Sequence, residues 1–329
     1  MAEVALLWPQ KSDDMNTFPV TKTLKISLVV PVYFEEECIL QFIKETGEVL
    51  QSLPMDYEIV FVDDGSSDRT VDLIKEEIKN KSWIKLIELS YNHGKNAAVT
   101  AGITYASGDY LLYMDPDLQD PPNEIPRFIT EIEKGYDLVF GIRKEKMDGL
   151  LNKILSSIFW TTLDKFTGLK IPKGLAVMRI FNRKFAEKFL EYPEQNRFIE
   201  GIFMHIGMKR TTLLIEQRER FAGTTKFTFK KKMRLAFNAI FDYSEIPLKM
   251  AVSLGFILFF AGLLFLVTIL YVKLFVMDFQ VGWASTIGAI ILGTGLQLFF
   301  IGIAAIYIGR IYREAKRRPL FSVKELTGL

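Results

Sequence analysis

Asp115 and Asp117 are the residues whose types and spacing most directly suggest chemistry. They close an apolar run, Tyr110 to Met114, within the stretch Tyr110–Pro122, YLLYMDPDLQDPP. The run reads as a buried strand that stops and presents two carboxylates at its C-terminal edge. Residues two apart on an extended chain point the same way, so both acids can face one ligand, and Pro116 stiffens the turn between them. Two carboxylates on one side suit a hard divalent cation, Mg2+ or Mn2+, that also holds phosphate oxygens. The bland alternative is a solvated loop with chance acids, so the surrounding pattern matters.

Elements able to position the pair lie on both sides of it. Lys25–Pro31 is β-branched and apolar, as a central strand should be. Glu35, Glu36 and Glu37 then open a helix, where acids complement its positive N-terminus. Tyr57–Val62 is a second strand that ends in Asp63-Asp64-Gly65-Ser66-Ser67-Asp68, with a helix N-cap near Ser67 or Asp68. Trp83–Leu89 is a third, and Ser90–Asn96 leads from it into an Ala-rich helix, Ala97 to Ala106. A helix after Pro122 runs to Lys134, and Tyr136–Gly141 makes a strand ending at Arg143. Strands alternating with helices predict an α/β fold, a mostly parallel sheet with helices on both faces and right-handed crossovers. In such sheets the ligand lies beyond the carboxyl ends of the strands. Pro31–Glu35, Asp63–Asp68, Asn92–Lys95, Asp115–Asp120 and Arg143 all fall there. Neither a G-x-G-x-x-G fingerprint nor a P-loop occurs.

Composition narrows the class. The 329 residues allow one sizeable domain plus something smaller, and a net charge of +2 argues against a bulk nucleic-acid binder. Cys38 is the only cysteine, which excludes an internal disulfide, and His93 with His205 are too few and too far apart for a His/Cys zinc site. Met1 to Leu24 reads as a loose extension, with Met15 an alternative start and no signal-peptide pattern.

In this order and spacing, PVYFEEE, VDDGSSD, NHGKNAAVTAG and DPDLQDPP resemble a family 2 glycosyltransferase of the GT-A fold. The resemblance is close over Lys25 to Arg143 and implies a nucleotide-sugar donor, usually UDP-linked. It assigns Pro31, Tyr33 and Glu35 to nucleoside contact, and Asp64 to the base with Asp63 beside it. Asp115 and Asp117 become the metal–diphosphate motif, with Gln119 nearby, and Lys95 and Arg143 lie near the donor phosphates. The most similar subfamily comprises bacterial bactoprenol (undecaprenyl) phosphate glucosyltransferases and dolichol-phosphate mannose synthase-like enzymes.

The middle of the chain departs from that subfamily. Arg179 and Arg183 align with its arginines, but the acid favoured there as catalytic base falls at Val177. A lipid phosphate acceptor, with a second ionisation near pH 6, is already an anion at neutral pH and needs no strong base. Arg197–Gly201 and Arg220–Lys226 resemble later motifs, so Arg220 and Lys226 are expected to clamp phosphates, counted with Asp117 and Arg143 as catalytic. Leu150–Phe166 has helical apolar spacing that suits either the sheet or a membrane interface.

The last third is built for a bilayer. Met250–Val272 carries no charge, and Phe279–Gly309 is a second uncharged run, giving two spans at about 250–272 and 285–308. Lys and Arg crowd the segment before the first span and that after the second, so both termini are expected in the cytoplasm. Phe227–Tyr243 mixes basic and aromatic residues as an interfacial helix does. The expected division is an extension (1–24), a catalytic domain (25–215), a basic loop and interfacial helix (216–248), a two-helix hairpin (249–309) and a basic tail (310–329). The expected partners are a UDP-sugar, glucose leading, polyprenyl phosphate, the bilayer, a flippase and a downstream membrane transferase, but no nucleic acid. Glycines in the spans offer packing between copies. A processive polysaccharide synthase and a non-catalytic nucleotide-sugar-binding protein are the competing readings.

Overall fold

A computed structural model of the chain describes residues 23–143, 168, 171–172, 174–218, 246–275 and 282–329. The first half alternates as expected: β1 (Lys25–Val32), α1 (Ile39–Gln51), β2 (Asp56–Asp63), α2 (Thr70–Ile78), β3 (Ile84–Leu89), α3 (Lys95–Tyr105) and β4 (Tyr110–Tyr113). A 3-10 turn at Pro122–Glu124 precedes α4 (Ile125–Ile132), so the helix expected to start directly after Pro122 begins late, with Pro126 in its first turn. β5 (Leu138–Arg143), β6 (Leu175–Asn182), α5 (Arg183–Leu190), α6 (Ile199–His205) and β7 (Arg210–Ile215) follow. Two long helices, α7 (Ile246–Phe275) and α8 (Trp283–Ala315), lead to a final strand, β8 (Val323–Thr327).

The strands form one sheet in the order β7-β5-β6-β4-β1-β2-β3-β8. β1 pairs in parallel with β2 and β4, β2 with β3, and β5 with β7; only β6 and β8 run against the rest. Alternation along β1 explains the layers. Leu28 and Val30 pack with α1, α2 and α4 on one face, and Val29 packs with α3, α5 and α6 on the other. α3 is rich in small residues because it lies almost on the sheet. A Cβ on Gly102 would stand 2.4 Å from Val29 Cγ1 and 3.1 Å from Val62 Cγ2.

The edge opposite the strand ends is tied by a buried acid. Glu58 accepts from Ser27 Oγ at 2.5 Å, Lys25 Nζ at 2.7 Å and the Ser107 N–H at 2.7 Å, and it pairs with Lys85 at 2.8 Å. Burial raises the Glu58 pKa, but these donors outweigh it and hold the carboxyl down at about 2.

Two expectations need correction. Glu35, Glu36 and Glu37 do not sit in the first turn of α1, which starts at Ile39; the Glu35 carbonyl instead accepts the N–H groups of Cys38 and Ile39 in a preceding turn. The segment 310–329, expected as a basic tail, carries the end of α8 and then β8, which pairs antiparallel with β3. The physical reason is charge and edge pairing. Lys75 reaches Glu88 at 2.5 Å and Glu325 at 2.9 Å, Lys324 reaches Glu88 at 3.3 Å, and β8 covers the open N–H and C=O groups of β3.

α7 and α8 contain apolar stretches, Leu248–Phe275 and Ala289–Ala315, each long enough to cross a bilayer and not buried in the protein. Phe256, Phe259, Phe265, Leu292 and Phe299 stand exposed along them. Apolar surface on that scale does not face water, so the helices suit a bilayer. Leu150–Phe166 and Phe227–Tyr243, expected at the membrane interface, lie outside the described residues.

Candidate active site

The polar clusters converge as the strand directions require. β1, β2, β3, β4 and β5 all end on one side of the sheet, bringing Pro31–Glu35, Asp63–Asp68, Asn92–Lys95, Asp115–Asp120 and Arg143 to one edge. β6 runs the other way, so its start, near Val177, arrives at the same edge.

Pro31 is buried within β1, opposite Val62. Tyr33 is half-buried with its ring 4.1 Å from that of Phe34, whose φ of 55° turns the chain. The Phe34 N–H donates to Ser66 Oγ at 3.1 Å and the Glu35 N–H to Thr70 Oγ1 at 2.9 Å, which joins the first loop to the second. Asp63 Oδ2 accepts the N–H groups of Gly65 at 3.1 Å and Ser66 at 3.0 Å in an Asx turn. Its Oδ1 is buried and accepts no hydrogen bond among the described residues. Asp64 accepts the His93 N–H at 2.7 Å and the Gly94 N–H at 2.9 Å, one on each oxygen. Burial raises the pKa of both acids, and the backbone donors oppose it. Gly65 has φ 81°, and a Cβ there would lie 2.9 Å from the Asn92 nitrogen. Only glycine lets these loops meet.

Lys95 opens α3 and pairs with Asp115 Oδ2 at 2.7 Å, its ammonium 5.7 Å from the centre of the Tyr113 ring. Burial would lower the Lys95 pKa, but the Asp115 carboxylate more than offsets it and holds the amine well above the lysine range. Asp115 Oδ1 is buried and accepts no hydrogen bond among the described residues. Asp117, 9 % exposed, takes the Gln119 N–H on Oδ1 at 3.1 Å across Leu118, whose φ is 59°. The Gln119 carbonyl in turn accepts the Arg218 N–H at 3.0 Å.

Asp120 has a structural role that the motif alone does not reveal. One oxygen takes Arg143 Nε at 3.2 Å and Nη2 at 2.9 Å; the other takes the N–H groups of Val177 at 3.1 Å and Met178 at 2.9 Å. Arg143 therefore reaches the edge as the partner of Asp120, and Val177 as a backbone donor. Arg179 is fully buried, packed over the rings of Tyr113, Phe140 and Phe203, with Glu200 at 3.3 Å. Arg183 binds the carbonyls of Ala106 and Gly108, away from the strand ends. Arg220 and Lys226 lie outside the described residues.

The donor set fits a shared divalent cation better than an all-protein cage. Among the described residues no three His, Cys, Asp or Glu side chains gather as metal ligands. Asp115 nevertheless offers an orphaned oxygen beside Asp117, and ions such as Mg2+ take one or two carboxylates and complete their shell with phosphate and water.

Comparison with known proteins bears on the family and the fold. The profile of glycosyl transferase family 2 matches residues 27–190. Bactoprenol glucosyl transferase of Shigella phage SfV is 35% identical over 92% of this chain and 98% of its own length. The undecaprenyl-phosphate 4-deoxy-4-formamido-L-arabinose transferase of Proteus mirabilis is 31% identical, over 96% and 97%. A Bacillus subtilis protein named as glycosyltransferase YkcC is 35% identical, over 94% and 96%. Among solved structures, glucosyl-3-phosphoglycerate synthase from Mycobacterium tuberculosis, crystallised with Mn2+, UDP and phosphoglyceric acid, superposes with a TM-score of 0.51 at 16% identity. It covers 66% of this chain and 76% of its own. That likeness is one of fold.

Proposed function

The chain belongs to glycosyl transferase family 2, and on that premise we propose that it is a membrane-anchored, inverting transferase that moves a sugar from a UDP-sugar to polyprenyl phosphate. The sugar favoured is glucose. The observation that carries the reading is the union, in one chain, of an acid-lined sheet edge with two exposed apolar helices. The names of the bactoprenol and undecaprenyl-phosphate relatives, aligned over more than nine-tenths of this chain, support the acceptor.

The proposed roles are those the family resemblance implies. Pro31, Tyr33, Glu35, Asp63 and Asp64 form the nucleoside side of the edge. Lys95, Asp115, Asp117 and Gln119 form the diphosphate side, with Arg143 behind them. Asp115 and Asp117 would hold Mg2+ or Mn2+, which when bound supplies charge neutralisation for the departing diphosphate. Lys95 adds a fixed positive charge that its pairing with Asp115 keeps protonated. An oxygen of the acceptor phosphate attacks the anomeric carbon as the bond to UDP breaks on the opposite face, so the configuration inverts. That oxygen is an anion at neutral pH, so no general base is required, in keeping with Val177 at the place of the subfamily's acid. Arg220 and Lys226 are assigned to the phosphates from sequence alone.

α7 leaves the catalytic region and α8 leads back to β8 on the same sheet, which supports a hairpin with both ends on the cytoplasmic, nucleotide-sugar side. The lipid-linked sugar would then be flipped and used by an outward-facing transferase on a cell-surface polysaccharide. The test is incubation of the purified full-length protein with radiolabelled UDP-sugars, Mn2+ and undecaprenyl phosphate. A single-sugar glycolipid, strongest with UDP-glucose, is expected. UDP binding without any glycolipid would overturn the reading in favour of a non-catalytic binding protein, and a long polymer in favour of a processive synthase.

A further inference from the structure

The segment that follows the second apolar helix touches the loop that grips Asp64. At the end of α8 and just past it, Gln195 ties the chain down: its N–H donates to Glu314 Oε1 at 3.0 Å and its Nε2 to the Arg318 carbonyl at 2.7 Å. Phe321 packs against the buried cluster around α3, α5 and α6. The Ser90 N–H then donates to the Ser322 carbonyl at 2.9 Å, and the Ser322 N–H donates to His93 Nε2 at 3.2 Å, before β8 joins β3.

His93, half-buried, is held through its ring and through its backbone. Nδ1 lies 2.6 Å from the Tyr91 carbonyl, and the two rings stack with centroids 3.8 Å apart. A carbonyl only accepts, so Nδ1 carries the proton and Nε2 is left as the acceptor for Ser322. The backbone of the same residue donates to Asp64, Gly94 donates to the other oxygen, and Lys95 follows with its hold on Asp115. Gly94 has φ 94°, and a Cβ built on it would meet nothing within 4 Å. A cleft of about 370 Å³ beside it is lined by Asp63, Ser66, Asp68, Tyr91 and, from β8, Lys324.

We infer that Ser322, acting through His93, is a positioning residue for the donor: the strand returning from the membrane fixes the loop that aims Asp64 and Lys95. Donor affinity then depends on a segment more than two hundred residues away in sequence, across both apolar helices. The inference rests on the donor reading proposed above, and a binding measurement that needs no acceptor separates the two.

The experiment is isothermal titration of UDP with Mn2+ into the full-length protein in detergent, with thermal melting run in parallel. His93→Ala is expected to weaken UDP about tenfold, equivalent to 1.4 kcal/mol. Ser322→Pro, which deletes the donating N–H, is expected to weaken it similarly relative to Ser322→Ala, which keeps it. His93→Gln, whose Oε1 can accept from Ser322, is expected to restore most of the affinity. The KM for polyprenyl phosphate stays unchanged, which general damage to the fold would not allow. Wild-type affinity in His93→Ala, or a Gln variant as weak as the Ala one, overturns the positioning role while leaving the donor site intact. A wild-type protein that binds no UDP overturns both. Should Ser322→Pro fail to fold, the His93 pair decides the matter, because both substitutions fall at a half-buried side chain of a surface loop.

Discussion

Replacing Asp120 by alanine is expected to destabilise the protein by about 3 kcal/mol, the low end of the range for breaking a buried ion pair. The carboxylate is 4 % exposed and serves four donor contacts, two from Arg143 and two from the backbone of Val177 and Met178. Its removal leaves two backbone N–H groups with no acceptor, at about 1–3 kcal/mol each, and a guanidinium without its partner. Arg143 is 26 % exposed, so water takes up part of that charge and the sum stays near the lower bound. For a domain of this size each kcal/mol moves the melting temperature by roughly 2–4 °C, so a fall of about 6–12 °C is expected. Asp120→Asn is the sharper variant. It preserves volume, but its amide NH2 must face either the guanidinium or the two N–H groups, so most of the loss should remain. Thermal unfolding of the full-length protein, followed by tryptophan fluorescence, reads both. An Asn variant melting within about 2 °C of wild type would refute the reasoning. Arg143→Ala then separates strut from ligand: a lower melting temperature with unchanged donor KM makes Arg143 the partner of Asp120, whereas a raised KM with unchanged melting makes it a phosphate ligand.

Other outcomes follow from the same geometry. The Glu58 carboxyl is held near 2 against its ordinary 4.5, so its stabilisation is fully present above about pH 4.5 and is lost as pH falls towards 2. That is worth roughly 3 kcal/mol, and Glu58→Gln should flatten the dependence of the urea midpoint on pH between 6 and 3. Asp115→Asn with Asp117→Asn should lower glycolipid synthesis by about a hundredfold or more, with melting little changed; retained synthesis would remove the pair from the site. Gly102→Ala should cost about 1–3 kcal/mol, because its Cβ meets Val29 Cγ1 at 2.4 Å, and chemical denaturation measures it. Val177→Asp should bring no gain in turnover with a phosphate acceptor, and a tenfold gain would mean that a base is missing after all.

The sequence displayed the convergence of these polar loops wherever the signal was local. A run such as Tyr110–Met114 ending in Asp115-Pro116-Asp117 announces both the strand and what it carries, and the same holds for Asp63–Asp68 and Asn92–Lys95. Strand direction then needs only the alternation with helices. What stayed hidden depends on partners far along the chain. Asp120 reads as one more acid of a loop until β6 comes in antiparallel and offers the backbone of Val177 and Met178. Arg179 and Arg183 align with the subfamily's arginines, and only the structure shows that aromatic rings and backbone carbonyls enclose them. β8 is the extreme case: Val323-Lys-Glu-Leu-Thr327 is short, with two charged residues in its five, and only its register on β3 makes it a strand.

The placement of β8 also orders events during biosynthesis. Between β3 and the strand that covers it lie both apolar helices, so the ribosome must complete both before the sheet can gain its outermost member. Until then β3 presents a row of unsatisfied N–H and C=O groups, the kind of border along which nascent chains associate wrongly. A polypeptide halted in translation or clipped before Val323 keeps that vulnerable border.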